Sequence, residues 1–338
     1  MVSGCPGTWC RGTAQVALLT VVLMLLVLAG GCNRSAAPLS EENNQTVKET
    51  RPLLYDRELS QVIVYYLSKD GAYLVPVTVA FNPTREVTKV AVEKLLAGPK
   101  DDNLRPVIPA GVKLREVYTI NNKTVYIDFT RDFLQISDTE QAEIALKALV
   151  ATVTELNREQ SVQVLVEGKI VEEVAGVKIN APLQRAAYIN SLLTEENEQG
   201  VTVYFSDATV LYFIPVAVAL PAGSDENDLP RAAVEALLAG PPPDCGLVRT
   251  VWPDTRLLDF KLEDGLATVD LSKEAVGYGG GTTAEGALVN SLLYTLTGFD
   301  EINQVQLLIE GQKREYLPEG TEIDEPLSRP EQINLQPS

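Results

Sequence analysis

VAVEKLLAGP at residues 90–99 and AAVEALLAGP at residues 232–241 are one phrase written twice, and the fold is read outward from that pair. Other segments recur around it in the same order. VIVYYLS at 62–68 answers VTVYFS at 201–206, and LVPV at 74–77 answers FIPV at 213–216. VYIDFT at 125–130 matches ATVDLS at 267–272, and LVEGK at 165–169 matches LIEGQ at 308–312. The separation is 138 residues between Ser68 and Ser206 and 144 between Arg185 and Arg329, so insertions between the copies are small. Solenoid units of roughly 20 to 50 residues share one continuous core, whereas a unit this long can close its own. The chain therefore divides into a first repeat at 61–185, a linker at 186–200 and a second repeat at 201–329.

The repeated phrase itself is a helix and its stop. Val87, Val90, Ala91, Lys94 and Leu95 recur at helical spacing, as do Leu229, Ala232, Ala233, Ala236 and Leu237. Gly98 and Gly240 suit a left-handed cap, and the prolines after them prevent continuation. Backbone geometry accounts for the identity of LLAGP without any binding role.

Upstream of each helix lie two β-branched apolar runs. In the first copy they are 61–67 and 73–81, joined through Asp70 and Gly71; in the second they are 201–205 and 210–219. Downstream comes a second hairpin, 113–120 with 124–129 and 256–262 with 266–271. Its returning strand alternates, with Val125, Ile127 and Phe129 on one face and Tyr126 and Asp128 on the other. A longer helix follows at 140–156 and 284–296, then a strand at 162–166 and 305–309 that ends in Glu-Gly. The order is ββαββαβ, an α+β fold of two tandem repeats, each a mainly antiparallel sheet with helices on one face.

The ends are different in kind. Residues 13–31 run uncharged through TAQVALLTVVLMLLVLAGG and meet Cys32. Small residues followed at once by cysteine fit a secretion signal, with a plain membrane anchor as the other reading. LAGGC at 28–32 resembles the lipobox of bacterial lipoproteins, which implies that residues 1–31 are a signal peptide and that Cys32 is the acylated N-terminus. Acyl chains stabilise membrane attachment by about 0.8 kcal/mol per buried methylene. Residues 32–60, with EENNQTVKET, read as a flexible tether, and residues 330–338 as a frayed tail.

The formal charge is −18, and loss of Arg11 with residues 1–31 takes it to −19. With no basic run to offset it, that charge excludes nucleic acid as a partner. Cys5 and Cys10 lie in the signal and Cys32 at the anchor, so only Cys245 remains and no intrachain disulfide forms; each repeat must rely on an apolar core.

No histidine occurs in the chain, which removes Ser/His/Asp and Cys/His nucleophile arrangements and the HExxH zinc site. Acids shared by the copies are Glu93 with Glu235, Asp128 with Asp270, Glu143 with Glu285, and Glu167 with Glu310; a two-carboxylate glycosidase needs no histidine. Asp128 and Asp270 precede Thr130 and Ser272 by two, the spacing of a capping or turn hydrogen bond. Residues 277–281 lie where a phosphate loop would, but VGYGGGTT meets neither GxGxxG nor the GKS/GKT ending, and reads as a lead-in to the helix. Tyr65, Tyr66, Tyr73, Tyr204, Tyr212 and Tyr278 are stacking candidates, though strand tyrosines more often pack across strands. No catalytic, metal or cofactor-binding residues emerge, and no cofactor is expected.

EKLLAGP at 93–99, EALLAGP at 235–241, the VYIDF and TVDL strands and the terminal VEG and IEG resemble the GerM family of sporulation and germination lipoproteins, with two GerMN domains. The resemblance covers nearly everything after the tether. It implies a non-enzymatic protein on the extracytoplasmic face of the cell membrane, a scaffold that supports a transenvelope complex through contacts with its proteins. It also implies domains like the ring-building modules of secretion systems. The alternative is a binding module for cell-wall fragments (peptidoglycan) or germinants, with a cleft near the joint at residues 195–200.

Overall fold

The repeated apolar runs form matched elements in the two halves. The computed structural model describes residues 51–195, 198–225, 227–277 and 280–335. The first repeat contains β1 (Leu59–Ser68), β2 (Leu74–Thr84), α1 (Val87–Ala97), β3 (Leu114–Thr119), β4 (Thr124–Phe129), α2 (Thr139–Val153) and β5 (Ser161–Val166). The second contains β6 (Gly200–Asp207), β7 (Phe213–Ala219), α3 (Leu229–Ala239), β8 (Leu257–Glu263), β9 (Leu266–Leu271), α4 (Gly281–Leu296) and β10 (Gln304–Ile309). The mixed α+β order is the one the duplication predicts.

Each repeat holds two matched sheets, and repeat one adds a two-stranded one, Glu173–Val174 with Val177–Lys178. The opening hairpin β1–β2 gains only a two-residue strand, Leu104–Arg105, beside β1; β6–β7 gains Leu247–Val248 in the same place. The larger sheet pairs β3 with β4 antiparallel and β4 with β5 in parallel, Thr124 opposite Ser161. β8, β9 and β10 repeat that pattern, Leu266 opposite Gln304. The parallel step follows from α2 and α4, because a helical crossover returns the chain in the direction it left.

The helices close the hairpins onto the sheets. α1 packs against β1 and α2, and α3 against β6 and α4. In α1 the fully buried stripe is Val87, Thr88, Ala91, Val92 and Leu95, rotated from the expected one so that Val90 and Lys94 are only partly covered. Contact with both a strand and a second helix widens the buried face in that direction. Gly98 and Gly240 do take positive φ, 77° and 82°, but with ψ of 173° in both, a region open essentially to glycine alone rather than the ordinary left-handed cap. At Gly240 a side chain would also meet the Arg249 guanidinium, which donates to the carbonyls of Leu238 and Ala239 at the end of α3.

No labelled strand of one repeat pairs with a labelled strand of the other, yet the two pack as one compact unit. Their buried apolar side chains form a single cluster running through both, where two separate cores are expected from the sequence. The seam lies between β2 and β7. The terminal segment, expected to fray, is docked there: Ile333 is 3% exposed and Asn334 9%. Residues 1–50, including the apolar run and Cys32, and also Tyr278, lie outside the described residues.

Candidate functional site

Backbone groups on two facing strands set the chemistry of the seam, because each has a donor and an acceptor that must be satisfied once buried. Asn190, from the linker, does this for repeat one. Its Oδ1 accepts from the Leu74 amide at 2.8 Å, and its Nδ2 donates to the carbonyls of Leu74 at 2.9 Å and Pro215 at 2.8 Å. Asn334, from the tail, does the same for repeat two. Its Oδ1 accepts from the Phe213 amide, and its Nδ2 donates to the carbonyls of Phe213 and Pro76, each at 2.8 Å. The segment that leaves each repeat thus crosses to the other, and the two exchanged asparagines are related by the internal repeat.

Two tyrosines extend the seam. The Tyr73 hydroxyl donates to the Cys245 carbonyl at 2.6 Å, and that of Tyr212 donates to Asp101 at 2.5 Å. Burial, then the neighbouring Cys245 and Asp70, pushes the Tyr73 hydroxyl up to about 12. The Tyr212 hydrogen bond, helped by the Asn103 amide, holds the Asp101 carboxyl below its ordinary value.

Beside the seam each repeat builds the same guanidinium cage at the end of its second helix. Arg185 donates to the Ala151 carbonyl at 2.6 Å, Thr154 Oγ1 at 3.1 Å and the Tyr65 hydroxyl at 3.1 Å. Arg329 donates to the Tyr294 carbonyl at 2.9 Å, Thr297 Oγ1 at 3.1 Å and the Tyr204 hydroxyl at 3.2 Å. Each guanidinium carbon lies 5.6 Å from the centre of its tyrosine ring, within cation–π range. Burial, followed by the adjacent Glu155, raises the Tyr65 hydroxyl well above its usual range, and burial takes Tyr294 up to about 12.

A cavity of about 250 Å³ opens between the repeats at this point, with Arg158, Arg185, Tyr188, Gly200, Tyr204 and Phe299 among its walls. It lies at the joint where a cleft is expected. The stacking candidates Tyr65, Tyr66, Tyr73 and Tyr212 are buried, and the hydroxyls of Tyr73 and Tyr212 hold the repeats together.

Two of the shared acid pairs serve turns. Asp128 accepts from the Gly168 amide and Asp270 from the Gly311 amide, both at 2.8 Å, rather than from Thr130 or Ser272. Glu167 accepts from the Arg131 amide at 3.1 Å and Glu310 from the Lys273 amide at 2.8 Å. Glu143 and Glu285 are not equivalent. Thr152 Oγ1 accepts from the Tyr65 amide as Thr295 Oγ1 does from Tyr204, which places Glu143 opposite Gly286. Glu143 is exposed, while buried Glu285 accepts from the amides of Glu319 and Thr321. Among the described residues no group of His, Cys, Asp and Glu could hold a metal ion, and no helix is long and apolar enough to cross a membrane.

The family model described as "Germane: Sporulation and spore germination" matches residues 63–172 and 202–315, one match in each repeat. The chain belongs to the Germane family. A Germane relative, the spore germination protein GerM of Bacillus subtilis (strain 168), is 26% identical over 321 residues, 89% of this chain and 85% of that protein. The solved tandem GerMN domains of the sporulation protein GerM from Bacillus subtilis align with a TM-score of 0.67 at 24% identity, covering 82% of this chain and all of that one, which establishes the tandem Germane fold. The exchanged asparagines were not singled out in the sequence. The one signal available was that Asn190 and Asn334 stand at the spacing of Arg185 and Arg329, 144 residues apart.

Proposed function

We propose that this chain is a lipoprotein, acylated at Cys32 and held on the extracytoplasmic face of the cell membrane. Its paired Germane repeats support assembly of a sporulation or germination envelope complex through protein contacts, without catalysing a reaction. Family membership supports the setting. The observation that carries the mode of action is a difference between the repeats at one sheet edge. In repeat one the outer edge of β3 is covered by Arg51–Pro52, antiparallel to Tyr118 and Thr119. In repeat two the equivalent strand, β8, is the edge of its sheet among the described residues, and Leu258 and Leu262 on it are 43% and 37% exposed. An open edge with exposed leucines is a template for an added strand from a partner, since its backbone groups satisfy those of the incoming chain.

The test is recovery of partners from sporulating cells. Full-length protein captured from detergent-solubilised membranes is expected to bring down envelope-complex proteins. Leu258→Lys should reduce that recovery at unchanged protein level, because it removes an exposed apolar side chain that an added strand would cover. Cys32→Ala should release the protein from the membrane fraction. Capture of no envelope-complex component by the unaltered protein would count against the assembly role, and unchanged capture by Leu258→Lys against the edge.

A further inference from the structure

The two guanidinium cages correspond through the internal repeat except at two positions, the first being Ala151, where repeat two has Tyr294 with its ring centre 5.1 Å from the Arg329 guanidinium carbon. In repeat one Glu155 completes the cage: its Oε2 accepts from Arg185 Nη2 and from the Tyr65 hydroxyl, both at 2.8 Å. The helix-end correspondence of Thr154 with Thr297, each accepting from its cage arginine, places Gly298 opposite Glu155. Repeat two therefore has the arginine and the tyrosine but no carboxylate. The Tyr204 hydroxyl accepts from Arg329 and has no acceptor of its own among the described residues. Glu155 reaches Arg329 only through space.

The inter-repeat cavity opens at that place. Gly298, Tyr204 and Thr295 form one part of its wall, and Arg158 and Arg185 another. Among the described residues no aspartate or glutamate lines it, in a chain where 46 acidic residues face 28 basic ones. Tyr188, Leu229 and Phe299 supply an apolar remainder.

We propose that this cavity binds a small monocarboxylate with a flat apolar body. Its carboxylate sits beside Gly298 as the Glu155 side chain sits beside Arg185, and accepts from the Tyr204 hydroxyl, behind which Arg329 donates to the same oxygen. A carboxylate is favoured over a phosphate because the partner repeat solves the same geometry with a carboxylate. The rings and Leu229 exclude water from the rest of the molecule, which strengthens a charge-assisted hydrogen bond. Ligand binding here does not depend on the assembly role, which uses β8 on a different sheet.

The probe is benzoate, titrated into the purified full-length protein in detergent at pH 7 and constant ionic strength, up to roughly 10 mM. Benzyl alcohol serves as the uncharged isostere and inorganic phosphate as the competing anion. Benzoate is expected to bind saturably, with benzyl alcohol and phosphate each weaker by about tenfold or more, the factor that one charge-assisted hydrogen bond typically supplies. Tyr204→Phe should weaken benzoate by about tenfold while leaving benzyl alcohol unaffected. Gly298→Glu should abolish benzoate binding and raise the melting temperature, because the new side chain makes the bonds itself. Gly298→Ala adds a β-carbon 3.2 Å from the Thr295 carbonyl without adding charge, and should keep most of the affinity. Absence of saturable benzoate binding, equal binding of benzyl alcohol, tighter binding of phosphate, or undiminished benzoate affinity in either Tyr204→Phe or Gly298→Glu would each overturn the assignment.

Discussion

Asn190 and Asn334 show how much one side chain can decide. A carboxamide presents an acceptor and two donors in a plane, so it can satisfy the amide and carbonyl of one strand and a carbonyl of the next. Each asparagine does this at the seam, in positions nearly sealed from water. Replacing one by alanine leaves buried backbone groups without partners, at a cost of about 1–3 kcal/mol each. Asn334→Ala is expected to lower unfolding free energy by at least about 2 kcal/mol, and Asn190→Ala by a similar amount. Chemical denaturation followed by intrinsic fluorescence measures both; a loss confined to a few tenths would mean that water replaces the carboxamide. In sequence these residues sit in segments that look like linker and tail. Nothing local distinguishes a polar residue that will be solvated from one that will be enclosed.

At the scale of elements, local physics was the better guide. The hairpins, both helices of each repeat and the strand after the second helix were legible because periodicity and turn residues act within a few positions. Asp138 illustrates this: its side chain accepts from the Gln141 amide at 2.8 Å and caps α2. Asp138→Ala is expected to cost about 1 kcal/mol, read as a shift in denaturation midpoint with no change in slope. Repeat two begins α4 differently, with Gly280 in a left-handed conformation, so removing a side-chain cap has no counterpart there. Pairing of the shared acids was less secure. Glu143 and Glu285 look equivalent along the chain, but the helix-end contacts place them one position apart, and one position rotates a helical residue by about 100° to another face.

For the molecule as a whole, the seam should govern the response to pH. The Asp101 carboxyl is lowered in the folded protein, so its contribution is present above the ordinary value of 3.8 and is lost as the pH falls through the lowered one. The Tyr73 hydroxyl is raised from 10.0 to about 12, so its contribution is present below pH 10 and is lost as the pH rises from there to about 12. The melting temperature is therefore expected to fall steeply above pH 10. Tyr73→Phe, which keeps the ring and removes the titrating group, should start lower and fall less steeply; parallel curves would assign alkaline unfolding to other groups.

The chain by itself determined the duplication, the α+β order, the family and the absence of histidine chemistry, since these follow from residue identity and short-range spacing. Tertiary structure alone decided that the tails cross between repeats, that two of the shared acid pairs bond turn amides, that β8 is left as an edge and that a cavity opens where Gly298 stands in place of Glu155. Each of those depends on which distant backbone or side chain arrives alongside. The free energy of a buried polar group is set by that partner, and a sequence read locally does not contain it.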